Sequence, residues 1–234
     1  MSAQMLRVSA LHAFYGESHI LHGVDFDVNR GEVVTLLGRN GAGRTTTLKA
    51  LLGLVGKRSG SVMIDGREAI ALPPHRIAHL GVGYCPEERG IYSSLSTEEN
   101  LLLPRVVGSG GMSIEEIYGM FPNLKERRET QGTRLSGGEQ QMLAVARTLR
   151  TGARLLLLDE ISEGLAPVIV QGLSRTIHEL RQRGYTIVMV EQNFNFAAPL
   201  ADRFYIMEHG RMVQAFTASE LGDKMAVVHE FLGV

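Results

Sequence analysis

Three short segments combine glycines, carboxylates and hydroxyls at spacings typical of sites that bind phosphate-bearing substrates and catalyse their reactions. The first reads GRNGAGRT over 38–45, between a short apolar run at 33–37 and a helical pattern. Glycines in this context let backbone N–H groups turn toward phosphate oxygens, and the following helix presents its positive end to the anion. A phosphate-binding loop is predicted, with nucleotide contacts from Gly38, Asn40, Gly41, Ala42, Gly43, Arg44, Thr45 and Thr46.

The loop departs from the pattern G-x-x-x-x-G-K-[ST] at one position, because Arg44 stands where the phosphate lysine is expected. Arginine keeps the positive charge but replaces a compact ammonium with a wide planar group, which needs more room inside the loop. Thr45 would offer its hydroxyl to Mg²⁺, and Thr46 could donate to a phosphate. A glycine-rich turn from strand to helix remains an alternative for this segment alone.

The second segment is an apolar run, LLLL at 155–158, that ends in Asp159 and Glu160. A buried strand ending in two carboxylates can place Asp159 on the metal side of a nucleotide and Glu160 beside a water molecule. A strand that simply meets solvent at an acidic turn is the alternative interpretation.

The third segment, LSGGEQQ over 135–141, begins a helix. Ser136 and Glu139 have the S-x-x-E spacing of a capping box. Glycine in a helix costs about 1 kcal/mol relative to alanine, and capping gives no reason to accept Gly137 and Gly138 in the first turn. Exposed backbone at a helix N-terminus is what a second phosphate contact would use. The segment therefore predicts such a contact.

The elements that must position these segments alternate between strand and helix, except in the middle of the chain. Helical patterns at 97–103, 113–121 and 137–149 follow one another with no convincing strand between them. We therefore expect an α/β core over about 1–92 and 153–234, interrupted by a helical subdomain over about 93–152. The remaining predicted strands cover 6–13, 24–28, 33–37, 60–66, 81–85, 154–158, 185–190, 204–208 and 211–216, and the remaining helices 45–54, 73–80, 167–183 and two short ones within 218–232.

Composition excludes several classes of protein. The 234 residues are 44% hydrophobic, with 24 basic and 25 acidic side chains, so a large basic face for duplex nucleic acid is not expected. Cys85 is the only cysteine, which excludes an intramolecular disulfide or a thiolate metal cluster and favours a reducing cytosol. No apolar run approaches the roughly 18 residues that would span a bilayer.

In order and spacing, these segments resemble the ATP-binding subunit of ATP-binding cassette (ABC) transporters across essentially the whole chain. Tyr15 matches the aromatic residue that stacks on adenine, and 135–141 matches the family's signature sequence. Glu87 occupies the Q-loop position, where most members have glutamine, and Gln192 the switch position, where most have histidine. The resemblance implies a single domain, 1–234, with a P-loop NTPase (RecA-like) core, an antiparallel β subdomain and an inserted α-helical subdomain.

The resemblance also implies the chemistry. Two cassettes, identical or homologous, would enclose two ATP molecules between the phosphate loop of one and the signature sequence of the other. Glu160 would act as base on the attacking water and Gln192 would sense the γ-phosphate. The remaining implied contacts are Mg²⁺ held by Thr45, Glu87 and Asp159, and nucleotide contacts from Tyr15, Ser136, Gly137 and Gly138.

Within the family, the segments GRNGAG, SEGLAPVIV and VEQN are most similar to those of the LivF type of branched-chain amino acid importer. The urea-importer counterpart is the next most similar. This implies a cytoplasmic ATPase, peripheral on the inner face of the membrane, with integral membrane permeases and, indirectly, a periplasmic solute-binding protein as partners. Nucleic acid is not expected as a partner, so a cassette acting on ribosomes or DNA is disfavoured.

Two departures leave an alternative open. Arg44 replaces the lysine, and Ile161 stands where a proline usually follows the glutamate. They favour a catalytically impaired nucleotide-binding or regulatory subunit that pairs with an active homologous ATPase. Glu160 and the intact signature sequence favour an active enzyme. The sequence identifies neither the solute nor whether the two cassettes are identical.

Overall fold

The computed structural model describes residues 4–233, which form two β-sheets and a block of helices. The strands are β1 (Gln4–Tyr15), β2 (Ser18–Asn29), β3 (Val33–Leu37), β4 (Lys57–Ile64), β5 (Arg67–Glu68), β6 (Val82–Cys85), β7 (Leu155–Asp159), β8 (Thr186–Val190), β9 (Arg203–Glu208) and β10 (Arg211–Thr217). The helices are α1 (Arg44–Leu51), α2 (Pro74–Ala78), α3 (Thr97–Leu102), α4 (Ile114–Met120), α5 (Pro122–Glu126), α6 (Gly137–Arg150), α7 (Pro167–Gln182), α8 (Phe194–Ala197) and α9 (Leu221–Leu232).

The larger sheet positions the site. Its strand order is β10-β9-β3-β8-β7-β6, and all neighbours are parallel except β10 and β9. Every residue of β3, β7 and β8 is buried, as expected of parallel strands covered on both faces. Because parallel strands end at the same edge, the segments that follow β3, β8 and β7 lie side by side.

The smaller sheet is antiparallel, in the order β2-β1-β4-β5. It shares a hydrophobic core with one face of the large sheet. This core contains Leu6 and Val62 of the small sheet and Leu157 and Val188 of the large sheet. The helices α3 to α6 share a second core with the other face, where Leu143 and Ile187 meet. The predicted fold class, an α/β core with an antiparallel β subdomain and an inserted helical block, is confirmed.

Several elements differ in detail from the sequence expectation. The helix expected over 45–54 ends at Leu51, and the two short helices expected within 218–232 are a 3₁₀ turn (Ala218–Glu220) followed by α9. The elements β5, α5 and α8 were not predicted, because each is too short to show a period. Helices α3 to α6 fall inside 93–152, and the subdomain boundaries themselves stay a prediction. No helix within residues 4–233 has the length and apolar character needed to cross a bilayer.

Gly83 on β6 allows a close approach between the large sheet and α6. A Cβ atom added at Gly83 would lie 2.6 Å from Thr148 Cγ2 and 2.9 Å from Ala153 Cβ. We expect Gly83→Ala to lower the free energy of unfolding by about 1–3 kcal/mol, because the added methyl overpacks the contact. Urea unfolding followed by circular dichroism measures this change.

Gly119 provides the matched control, since it lies within α4 and a Cβ atom there would meet nothing within 4 Å. Gly119→Ala should raise the free energy of unfolding by up to about 1 kcal/mol through helix propensity. Equal effects of the two substitutions would show that packing at Gly83 does not limit stability.

Candidate active site

The glycine loop after β3 adopts a conformation that requires its glycines. Gly38 approaches the backbone so closely that an added Cβ would lie 2.5 Å from the Met207 carbonyl oxygen. Gly43 directly precedes the first residue of α1. Its φ of +103° lies in a backbone region that residues with L side chains rarely adopt. No side chain caps this end of α1, and no acidic residue lies in its first turn. Its first N–H groups are therefore available to an anion.

A cavity of about 460 Å³ opens over this loop. Most of the phosphate-loop residues predicted from the sequence line it, together with carboxylates from two other segments. Tyr15 is 46% exposed at the end of β1, and Gln192 lines an adjacent cavity that also contacts Glu160. The residues lining the loop cavity are Ile20, Asn40, Gly41, Ala42, Gly43, Arg44, Thr45, Thr46, Glu87, Glu160 and Glu163.

Arg44 lines this cavity, and its side chain is bound by protein groups. Its side chain is only 4% exposed, and its Nη2 donates to Glu160 Oε1 at 2.6 Å. The same nitrogen donates to Asn40 Oδ1 at 3.2 Å, and Nη1 donates to the Glu191 carbonyl oxygen at 3.0 Å. The loop cation is thus held by the residue expected to act as base. This buried ion pair was not predicted from the sequence, because the two residues are 116 positions apart.

Thr45 and Asp159 lie together, as the sequence analysis expected. Thr45 Oγ1 donates to Asp159 Oδ1 at 3.0 Å, and Tyr84 Oη donates to Asp159 Oδ2 at 3.0 Å. Burial raises the pKa of the Asp159 carboxyl group, while the hydrogen bonds from Tyr84 and Thr45 and the charges of Lys49 and Arg44 act in the opposite direction. A hydroxyl and a buried carboxylate are hard oxygen ligands that fit Mg²⁺. Tyr84 was missed, because the pairing of β6 with β7 that brings it to Asp159 has no signal in the sequence.

Glu160 lies in a cluster of carboxyl groups. Ligand oxygens of Glu87, Glu160 and Glu163 all lie within 4.8 Å of one another. Burial, the largest cause, and a hydrogen bond with Glu163 raise the pKa of Glu160 to about 7. The positive charge of Arg44 acts in the opposite direction. Glu87 was predicted as a metal ligand beside Thr45 and Asp159; the structure groups it with the other two glutamates. Its metal role stays a prediction.

Glu191 is a site residue that the sequence analysis did not select. It directly follows β8 and is 1% exposed. Its Oε2 accepts from Ser162 Oγ at 2.7 Å, and its Oε1 accepts from the Ser162 N–H at 3.2 Å. Burial raises the pKa of Glu191 to about 7. An acidic residue directly after the apolar run TIVMV was the available signal.

The signature segment forms the predicted capping box. Ser136 Oγ accepts from the Glu139 N–H at 3.3 Å, and Glu139 Oε2 accepts from the Ser136 N–H at 2.8 Å. A Cβ atom at Gly138 would lie 2.6 Å from Ile169 Cγ1, so packing against α7 is a second reason for that glycine, and its nucleotide contact stays a prediction. Gly137 is exposed, and its nearest such contact is 3.5 Å away. Packing therefore does not explain the glycine at 137.

The signature residues Ser136, Gly137 and Gly138 do not line the cavity over the glycine loop. The model for the family described as "ABC transporter" matches residues 21–163, a span that includes the loop, the signature segment and Glu160. The chain belongs to the ABC transporter family. It is an ATP-binding subunit of that family, and its activity is ATP hydrolysis coupled to transport.

Relatives of known name agree with this assignment. The chain is 41% identical over 232 residues to "High-affinity branched-chain amino acid transport ATP-binding protein BraG" of Pseudomonas aeruginosa, covering 98% of this chain and 100% of that protein. It is 37% identical to "Probable branched-chain amino acid transport ATP-binding protein LivF" of Archaeoglobus fulgidus, covering 93% and 94%. A nucleotide-free ATP-binding cassette from an ABC transporter has the same fold, with a TM-score of 0.85, 20% identity and 99% coverage of both chains.

The raised pKa of Glu191 predicts a pH dependence of stability. Between its ordinary value of 4.5 and about 7, the folded chain binds a proton at Glu191 that the unfolded chain has released. The free energy of unfolding should therefore fall as pH rises through this window. Glu191→Gln removes this proton uptake, so its stability should fall less between pH 5 and pH 8. Urea unfolding across that range compares the two proteins, and parallel curves would contradict the prediction.

Proposed function

We propose that this chain hydrolyses ATP to energise uptake of branched-chain amino acids through separate membrane permeases. The observation that carries the proposal is the convergence on one cavity of the glycine loop, Arg44 and Glu160, with the Thr45–Asp159 pair beside them. Both named relatives are described as branched-chain amino acid transport ATP-binding proteins, and one matches 98% of this chain. The likeness to LivF-type importers in the sequence supports uptake as the direction.

In this proposal, different residues contact different parts of ATP. Backbone N–H groups of the loop and the start of α1 bind the phosphates, while the exposed ring of Tyr15 stacks on adenine. Thr45 and Asp159 would hold Mg²⁺, which would supply positive charge to neutralise the phosphate oxygens. Glu160 takes a proton from the attacking water, and Gln192 contacts the γ-phosphate from the neighbouring cavity.

A second cassette completes the site. The exposed Ser136 and Gly137 lie at the N-terminus of α6, outside the cavity over the loop. One subunit therefore does not bring its own signature residues to the phosphates. An identical or homologous cassette supplies them head to tail, as the family resemblance implies.

A groove of about 420 Å³ supports the permease as partner. Leu54, Pro104 and Val107 are among its lining residues. Next to them in sequence, Leu102 and Val106 are about half exposed, an apolar surface of the kind that marks a protein interface. The cassette lies on the inner face of the membrane, and the periplasmic binding protein is coupled to it only through the permeases.

The buried Arg44–Glu160 ion pair favours a second candidate function. A base whose carboxylate is held by the loop cation is less free to take a proton from water. In this alternative the chain binds nucleotide, and an active homologous partner performs most of the hydrolysis.

Replacement of Arg44 by lysine separates the two candidates. A compact ammonium fits a loop built around lysine, whereas a guanidinium must shift the loop or the nucleotide. Because phosphoryl transfer depends on alignment, we expect Arg44→Lys to raise turnover by about tenfold or more, roughly 1.4 kcal/mol of barrier. Steady-state rates and nucleotide affinity, measured with Mg²⁺, test this expectation.

Arg39 offers the matched control from the same loop. Its guanidinium donates to the carbonyl oxygens of Phe231 and Glu230 in α9 and does not line the cavity. Arg39→Lys should leave turnover unchanged. If Arg44→Lys is no faster than the wild type, the loop has adapted to arginine and the impaired-subunit candidate loses its main support.

Uptake measurements test the proposed function directly. In cells that lack this chain, the wild-type gene should restore uptake of radiolabelled leucine, and Glu160→Gln should not, because the amide cannot take a proton. The variant must still bind ATP and be present at the wild-type level. Restored urea uptake without leucine uptake would replace the proposed solute, and full uptake with Glu160→Gln would remove Glu160 from its role.

A further inference from the structure

Glu191 joins the ends of two neighbouring strands through its side chain. It follows β8, and its carboxylate accepts both the N–H and the hydroxyl of Ser162, which lies two residues beyond Glu160 and is 3% exposed. Burial of a carboxylate is costly, and a neutral acceptor would satisfy the same hydroxyl at lower cost. Stability alone therefore gives little reason for a glutamate at this position.

The segment that Glu191 holds is conformationally strained. Glu160 has φ +47°, a left-handed conformation that costs a non-glycine residue about 1 kcal/mol or more. Such a conformation persists only when the surrounding structure fixes the chain on both sides. On one side the Glu160 N–H donates to the Val190 carbonyl oxygen at 2.9 Å. On the other side Ser162 is held by Glu191.

The residue between them provides little backbone restraint of its own. Ile161 stands where the family resemblance expects proline, and isoleucine lacks the ring that fixes φ. The Ile161 side chain is fully buried in the core beneath the helical block, which holds the side chain but makes no hydrogen bond to the backbone. The two hydrogen bonds to Glu191 supply that backbone restraint at the next residue.

The same residue also restrains the partner of Glu160. The Glu191 carbonyl oxygen accepts from Arg44 Nη1, while Arg44 Nη2 binds the Glu160 carboxylate. Glu160 is thus fixed from its backbone through Ser162 and from its carboxylate through Arg44, and both paths lead to Glu191.

We propose that Glu191 is a positioning residue whose buried carboxylate clamps Ser162 and so sets the direction in which Glu160 presents its carboxylate to the attacking water. The proposal rests on the proposed function, in which Glu160 is the base. Glu191 does not touch the reacting atoms; it acts through Ser162.

Kinetics of four variants test the clamp. We expect Ser162→Ala and Glu191→Gln to lower kcat for ATP by about tenfold or more, because small misplacements of a catalytic group are costly, with KM changed less than about twofold. Ser162→Thr keeps both donors and should recover most of kcat. Thr176→Val removes a buried hydroxyl that bonds only within α7, and it should leave kcat unchanged.

Hydrogen exchange in the nucleotide-free protein provides a second readout that does not depend on catalysis. The amide of Ser162 should exchange at least about tenfold faster in Glu191→Gln than in the wild type, because one acceptor is lost. Unchanged exchange would overturn the clamp whatever the kinetics show.

The outcomes separate the clamp from the proposed function. A folded wild-type protein that hydrolyses no ATP, alone or with its partner cassette, would overturn the proposed function. The amide hydrogen exchange of Ser162 would then still test whether Glu191 holds Ser162. An active wild type whose Ser162→Ala and Glu191→Gln variants keep their kcat would overturn the positioning role. An equal loss of kcat in Thr176→Val would assign the effect to general loss of structure and would overturn it as well.

Discussion

The parallel pairing of β3, β8 and β7 is the constraint on which the rest of this molecule depends. All three strands are buried along their whole length between the β subdomain on one face and the helical block on the other. Their shared direction brings the loop after β3, Glu191 after β8 and Glu160 after β7 to one edge of the sheet. Residues more than a hundred positions apart in sequence therefore form direct contacts.

The positive charge of Arg44 is held by groups of the protein itself. Arg44 is enclosed by Glu160, Asn40 and the carbonyl oxygen of Glu191. Removal of one partner from a buried ion pair typically costs 3–5 kcal/mol, because the remaining charge stays buried. The same pair also restrains the base, and phosphate oxygens must compete with Glu160 for the cation.

Glycines in similar sequence contexts occupy their positions for different physical reasons. Gly38 lies against the backbone of Met207, and Gly138 lies against Ile169, so both are required by close packing. Gly137, one residue earlier in the same helix, has no such neighbour. At Gly137 packing gives no reason for a glycine, a distinction that needs the neighbouring elements in place.

The sequence by itself determined the fold class and predicted most of the residues that meet at this edge of the sheet, because apolar periodicity, glycine spacing and the order of the motifs are local properties of the chain. It indicated the glycine loop, the Thr45 and Asp159 oxygens and the capping box of Ser136, and the ligand roles of these residues stay predictions. The tertiary structure alone decided that Arg44 binds Glu160, that Tyr84 donates to Asp159 and that Glu191 holds Ser162. These contacts join different strands, and their partners depend on strand order and side-chain direction, which no local pattern encodes.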